Sequence, residues 1–353
     1  MGSRRVAEAA DHGGQNESYL CALDVLARRL LHHRGGGSAA GRDAARQDEE
    51  AASWSLELTA TELRFAARAL YWQAVAAEAG LDTALAQQLR ATRLLDDARA
   101  LRAAGMAVDA DVFAAEARVA AAEVDVIRAA TDSRSAFADL RSLLRVASDA
   151  DVTLADARTS RVPAPPPSLL TLQETAIGQR QELKMRDARI AGLAARERVT
   201  DARRRPAVAA SAQYGVARPN TRYFPLEDLW RDDWSVGVMA SWQLFDGKRT
   251  RAEAATVHAE GNAVRAEREE LARQIELEVE TSRLEMEAAL EAVAAADASR
   301  TAAAAREEAS RERYGAGLAP IWEMLDSQAE LTASELAQIR TRTTAWIAAA
   351  ALD

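Results

Sequence analysis

The residues of this chain that could do chemistry are few and scattered. His32 and His33 stand beside Gly35, Gly36 and Gly37, a grouping that could suggest a metal or phosphate site. No Glu, Cys or His set at ligand spacing accompanies them, and the glycines do not complete a phosphate-binding fingerprint, so the stretch reads as a turn. Cys21 is the single cysteine, which excludes an intrachain disulfide. Arg203, Arg204 and Arg205 form a cation run. Phospholipid headgroups would attract it, but cations at the end of a helix are also favoured by its dipole. Glu323 and Asp326 are three apart and so share one helical face, and acids suit the dipole at a solvated helix start. No nucleophile–base pair, metal set or phosphate loop is present. The expectation is no enzyme activity, no cofactor and no metal.

Composition narrows the class. The chain has 353 residues, of which 48% are hydrophobic, 28% charged and only 5% aromatic. Alanine dominates, as in long helices and coiled coils. Lys184 and Lys248 are the only lysines. A net charge of −9 argues against a nucleic-acid partner, which needs a basic face. No run of 18 apolar residues offers a membrane-spanning helix. The opening MGSRRVAEAADHGG has arginines without an apolar region behind them, so it is not a secretory signal. Taken by itself that front implies a cytoplasmic protein; the rest of the chain argues otherwise.

The elements that must position these residues follow from punctuation and period. Residues 1–17 are expected to be disordered, and 18–31 are ambiguous between strand and helix. From about Ala44 to Ala104 there is no proline and one glycine, Gly80, which predicts a helix roughly 90 Å long at 1.5 Å per residue. Leu56, Leu63 and Leu70 repeat every seven residues, as do Leu58, Phe65 and Trp72. The two series lie about 200° apart around a helix, so the helix has a neighbour on each side, where a two-stranded coiled coil needs one seam. Gly105 marks a turn, and a second helix runs from about Asp109 to Arg145. Pro163, Pro165, Pro166 and Pro167 make a linker, and a third helix covers about Leu172–Arg204. Val208–Val216 and Trp234–Phe245 then alternate with period two, each with an apolar face, as lipid-facing barrel strands do. The aromatic Tyr223, Phe224, Trp230 and Trp234 form a candidate belt at a membrane surface, or pack within the loop Arg218–Asp233. Helical pattern resumes to about Arg313 and from Pro320 to Ala351.

The order glycine turn, long helix, glycine, second helix occurs twice, with Gly37 matching Gly247 and Gly105 matching Gly317. Val112, Phe113, Glu116, Val119 and Glu123 then fall on Met324, Leu325, Gln328, Leu331 and Glu335. This reads as an internal duplication. Six segments result: 1–37, a partial N-terminal segment with a possible barrel strand; 38–148, a first helical hairpin; 149–172, a proline-rich linker; 173–205, a helix of the second half; 206–246, two strands and a surface loop; and 247–353, a second hairpin.

Ser241-Trp242-Gln243-Leu244-Phe245-Asp246-Gly247 resembles the step from barrel strand to long helix in TolC-type outer-membrane efflux proteins. Arg313-Tyr314-Gly315-Ala316-Gly317 followed by Met324-Leu325-Asp326-Ser327-Gln328 looks like their periplasmic tip turn. Leu172-Gln173-Glu174, Arg180-Gln181-Glu182-Leu183 and Arg205-Pro206 resemble the start of their second half. The likeness spans about residues 35–351. It implies a mainly α fold with a small β part, in which long antiparallel helices of an α-barrel join transmembrane β-barrel strands and close only as a homotrimer. It implies an outer-membrane duct for small molecules or proteins in a tripartite efflux or type I secretion system, extending into the periplasm and working with a periplasmic adaptor and an inner-membrane pump. Gly105, Met106, Gly317 and Leu318 would be the tip turns where the adaptor docks, Glu323 and Asp326 the entrance constriction, and Phe245, Asp246 and Gly247 the strand-to-helix turn. A signal peptide, first helix and first strand that the pattern calls for are not visible before residue 18, so the expectation is an N-terminally truncated chain. The competing readings are a soluble coiled-coil scaffold, a non-functional fragment of such a channel, and a periplasmic adaptor, which would carry one hairpin and not two.

Overall fold

The computed structural model describes residues 27–34 (backbone only), 36–147, 150, 152–155 and 162–352. Cys21, the expected disorder of residues 1–17, and the side chains of His32 and His33 lie outside the described residues. The described residues are mainly helical with three strands: β1 (Ala27–Arg34), α1 (Gly37–Ala103), α2 (Asp109–Leu144), α3 (Leu169–Gln179), α4 (Gln181–Ala202), β2 (Ala207–Ala217), β3 (Arg231–Ser241), α5 (Arg249–Gly315) and α6 (Ile321–Leu352). No helix among the described residues is long and apolar enough to cross a membrane. Two compact units emerge, Met1–Asp48 with Arg189–Ala263, and Glu49–Ala188 with Val264–Asp353.

The larger unit holds the helical hairpins. Its share of α1, Glu49–Ala103, spans about 80 Å at 1.5 Å per residue. One core lies at the hairpin ends, where Leu94, Leu95, Ala98 and Leu101 of α1 meet Ala115, Tyr314, Ile321 and Met324. A second joins Leu183 of α4 to Ile275 and Val279 of α5, flanked by Leu169, Leu172 and Ala176 of α3. A third joins Ala289 and Val293 of α5 to Ala345 of α6, with Val162 of the proline-rich linker packed on it. The linker is thus a strap over the helices: Arg283 Nε donates to the Pro167 carbonyl at 3.3 Å, and Tyr71 Oη donates to the Ala155 carbonyl at 3.2 Å. Trp72 of α1 stacks on Trp346 of α6 at 4.6 Å.

The smaller unit holds the sheet, ordered β1-β2-β3 and antiparallel throughout. Tyr214, Ala212, Ala210 and Val208 of β2 lie opposite Trp234, Val236, Val238 and Ala240 of β3, so these residues share one apolar face. Ser211 and Gln213 lie opposite Gly237 and Ser235 on the other. Below the sheet α4 runs between the starts of α1 and α5. Gly192 lets the Gln47 side chain come within 3.4 Å of where its own Cβ would be. Asp48 accepts two hydrogen bonds from Arg196 at 2.7 Å, and Glu253 pairs with Arg203 at 3.0 Å.

The duplication is visible in the geometry. α1 and α5 have 67 residues each, and the steps from Gly37 to Arg249 and from Ala103 to Gly315 are both 212. At that step Gly37 falls on Arg249 and not on Gly247: both residues begin a helix, and the residues just before them, Gly36 and Lys248, hold positive φ of 94° and 68°. Two further expectations need correction. The third helix is broken, because Arg180 leaves the helical region at ψ 124° and its guanidinium pairs with Glu182 and Glu278 at 3.5 and 3.3 Å. The strand expected over Trp234–Phe245 ends at Ser241. Ser241 pairs with Ala207, the first residue of β2, and the chain before it is Pro206, which has no N–H to offer a ladder.

Leu183 is almost fully buried, so Leu183→Ala removes core contacts and leaves a cavity. Denaturant unfolding of this variant is expected to show a loss of about 2–5 kcal/mol.

Candidate functional site

Two turns end the hairpins in the same way. α1 closes with Gly105 N–H donating to Arg102 O at 2.9 Å and Met106 N–H to Leu101 O at 2.8 Å; α5 closes with Gly317 N–H donating to Tyr314 O at 2.9 Å and Leu318 N–H to Arg313 O at 2.8 Å. Each is the six-to-one and five-to-two bond pair of a Schellman cap, which needs a left-handed residue at its centre. Gly105 and Gly317 provide it with φ of 74° and 69°. The turns are neighbours, since a Cβ on Gly317 would lie 4.0 Å from Met106 Sδ. Met106, Val108, Leu318 and Trp322 are all exposed around them. The Val108 N–H donates to Asp111 Oδ2 at 3.1 Å, which starts α2 against the next orphan donors.

Glu323 and Asp326 sit on the first turns of α6 and point to arginines of α5. Arg313 Nη1 donates to Glu323 Oε1 at 2.6 Å, and Arg306 Nη2 donates to Asp326 Oδ2 at 2.7 Å. Arg306 also bonds Glu330. Each carboxylate is therefore neutralised inside the subunit, an arrangement that the sequence reading missed. The partners stand 10 and 20 residues apart across the turn between α5 and α6, so no i,i+4 pattern announced them. Tyr314 was quoted only as part of a motif. Its ring is in the tip core, and its Oη is buried without a hydrogen-bond partner among the described residues. Burial, reinforced by the charges of Asp111 and Asp97, pushes its phenol above the ordinary range.

Phe245, Asp246 and Gly247 make the step into α5. Gly247 turns the chain at positive φ. Asp246 caps the helix: its Oδ1 accepts from Lys248 N–H and its Oδ2 from Thr250 N–H, both at 3.0 Å. Thr250, through its hydroxyl and then its N–H, holds the Asp246 carboxyl below the usual carboxylate range. Among the described residues the four belt aromatics make no ring–ring contact with one another. Tyr223 is held in the loop, its Oη donating to Asp232 O at 2.8 Å and its ring 5.2 Å beneath the Arg231 guanidinium. Phe224 projects from the same loop, 99% exposed. Trp234 stands on the apolar sheet face opposite Tyr214, and Trp230 is exposed at the loop's end. Among the described residues no His, Cys, Asp and Glu cluster could hold a metal ion.

A profile of the outer membrane efflux protein family matches residues 172–353. No curated protein sequence matches the chain significantly. Solved structures do. The outer-membrane channel OprN superimposes with a TM-score of 0.75 at 20% identity, over 94% of this chain and 80% of that one. The outer membrane protein VceC from Vibrio cholerae gives 0.75 at 17% identity, over 93% and 78%. The open state of the MtrE outer membrane channel from Neisseria gonorrhoeae gives 0.73 at 15% identity, over 94% and 79%. At such identities the likeness establishes the fold.

The glycine turns generate a paired prediction. Gly105→Ala puts a side chain at positive φ and is expected to cost about 1–2 kcal/mol in thermal or denaturant unfolding. Gly80→Ala, inside α1 where no atom lies within 4 Å of the added Cβ, is expected to gain up to about 1 kcal/mol.

Proposed function

Since the chain belongs to the outer membrane efflux protein family, we propose that it is a passive duct of the outer membrane, closed as a homotrimer and reaching into the periplasm. The observation that carries this reading is the sheet. Among the described residues β1 and β3 each pair on one side only, and the apolar face carrying Trp234, Val236 and Val238 is exposed. An open edge beside hydrocarbon leaves backbone groups unsatisfied at several kcal/mol each, so such a sheet must close with copies of itself. The helices support the same conclusion. Leu56 is 70% exposed and Leu63 51%, while Leu70 is partly buried, so the first two positions of this heptad seam lie open within the subunit. Copies of the chain placed side by side would bury it.

In the assembled duct the Gly105 and Gly317 turns form the periplasmic end. Met106 and Leu318 are then the apolar contacts offered to a periplasmic adaptor, which hands over cargo from an inner-membrane pump in tripartite efflux or type I secretion. Glu323 and Asp326 from three subunits form the entrance ring, with Arg313 and Arg306 behind them. Tyr223, Phe224, Trp230 and Trp234 mark the membrane surface at the far end of the sheet.

Two experiments test this. Sedimentation of the detergent-solubilised protein is expected to give three subunits. Replacing both Leu56 and Leu63 by Gln should weaken association about tenfold or more, while changing subunit stability by under about 0.5 kcal/mol, as exposed sites do. A stable monomer of native helicity would refute the trimer. In planar bilayers the channel is expected to prefer cations and to be blocked by multivalent ones, and Glu323→Ala with Asp326→Ala should weaken both properties. Unchanged selectivity and block would return these carboxylates to the role of intrasubunit ion-pair partners.

A further inference from the structure

We propose that the end of the sheet from which α5 departs binds anionic phospholipid headgroups, with Arg204, Lys248 and Arg251 facing the phosphates and Trp242, Leu244 and Phe245 resting among the acyl chains. The inference rests on the membrane reading above and adds the chemistry of one leaflet to it.

Three observations converge. The first is apolar exposure outside the sheet. Trp242, Leu244 and Phe245 follow the last residue of β3 and are 60%, 77% and 86% exposed. They are not a disordered tail. The Trp242 indole donates to the Arg204 carbonyl at 3.1 Å, which fixes the segment against the end of α4, and Asp246 anchors its far side to α5. The second is distance. From Trp234 to Trp242 is eight residues, about 27 Å along the strand at ~3.4 Å per extended residue, which is about 20 Å along the membrane normal at a barrel-strand tilt of roughly 40°. The apolar band of transmembrane barrels is about 25 Å tall and has aromatic residues at both rims. Trp234 with Tyr214 marks one rim, and Trp242 with Phe245 the other.

The third is uncompensated charge at that second rim. The end of α4 and the start of α5 bring together Arg203, Arg204, Arg205, Lys248, Arg249 and Arg251. Glu253 takes Arg203 at 3.0 Å and Arg249 at 3.7 Å. Asp246 accepts from the Lys248 and Thr250 N–H groups and feels the Arg249 charge, so it pairs with none of Arg204, Lys248 and Arg251 through a side chain, and it occupies the helix start where a free anion would otherwise bind. Arg204, Lys248 and Arg251 are exposed and make no ion pair among the described residues. Asp201, one turn back on α4, is the nearest exposed acid in sequence. A protein of net charge −9 thus gathers free cations beside its exposed tryptophan, where a phosphate-bearing surface would meet them.

The test uses the full chain, diluted from detergent into preformed vesicles and separated by flotation. The vesicles are phosphatidylethanolamine alone, or phosphatidylethanolamine mixed with phosphatidylglycerol. The wild-type chain is expected to associate with both, and to favour the anionic vesicles about tenfold or more, from contributions of roughly fivefold per cation. Salt should erode that preference. The triple variant R204Q/K248Q/R251Q is expected to bind both vesicles alike at the neutral-vesicle level. R204K/R251K should keep the preference, which a merely structural loss would not allow, and circular dichroism should report equal helicity for all three proteins. Equal binding of wild type to both vesicles, or an undiminished preference in the triple variant, overturns this surface and leaves the membrane reading intact. Failure of the wild type to associate with either vesicle overturns the membrane reading, and this surface with it.

Discussion

Alanine fills much of the buried helix surface in this protein. Ala74, Ala91, Ala98, Ala115 and Ala122 are completely buried, and the large fully buried side chains are few, Leu94 and Leu183 among them. Small residues let helix axes approach, but they bury little apolar area per contact, so long helices built this way gain their stability from many weak contacts along their length. Ion pairs across the seams, such as Arg90 with Glu335 at 2.9 Å and Arg268 with Asp187 at 2.6 Å, fix which residue faces which. Their exposed members contribute little energy. Register is their main product, because an alanine seam alone slides easily from one turn to the next.

That economy has a consequence for the subunit's outside. A helix wall with little bulk at its inner seams still carries leucines on its outer ones, and Leu56, Leu63, Leu277 and Leu284 are exposed. The sheet repeats the pattern at the level of backbone: among the described residues its strands are paired internally and open at both edges. In helix and sheet alike the unsatisfied surface runs along the long direction of the element.

Much of this was legible in the sequence, for local reasons. Glycines at 105, 247 and 317 and the prolines at 163 and 165–167 punctuate the chain where the elements stop, and period-two alternation located β2 and the core of β3. The misses share a cause. The break at Arg180 depends on Glu278, about a hundred residues away. The end of β3 depends on where β2 begins. The neutralised state of Glu323 and Asp326 depends on how α6 folds back on α5. Each is decided by a partner that only the tertiary register supplies, and periodicity carries no information about register between distant segments.

The near absence of lysine has a practical meaning. Lys184 lies over the Trp54 ring at 4.6 Å and is half-buried, and an ammonium seated against an aromatic face is less accessible to a reagent than one in solvent. Lys248 stands exposed at the start of α5. Amine-directed reagents therefore have two side-chain addresses of very different reactivity. A fluorophore or cross-linker aimed at amines would collect at the junction between sheet and helices, while the arginine-rich seams that hold the hairpins together would stay unlabelled.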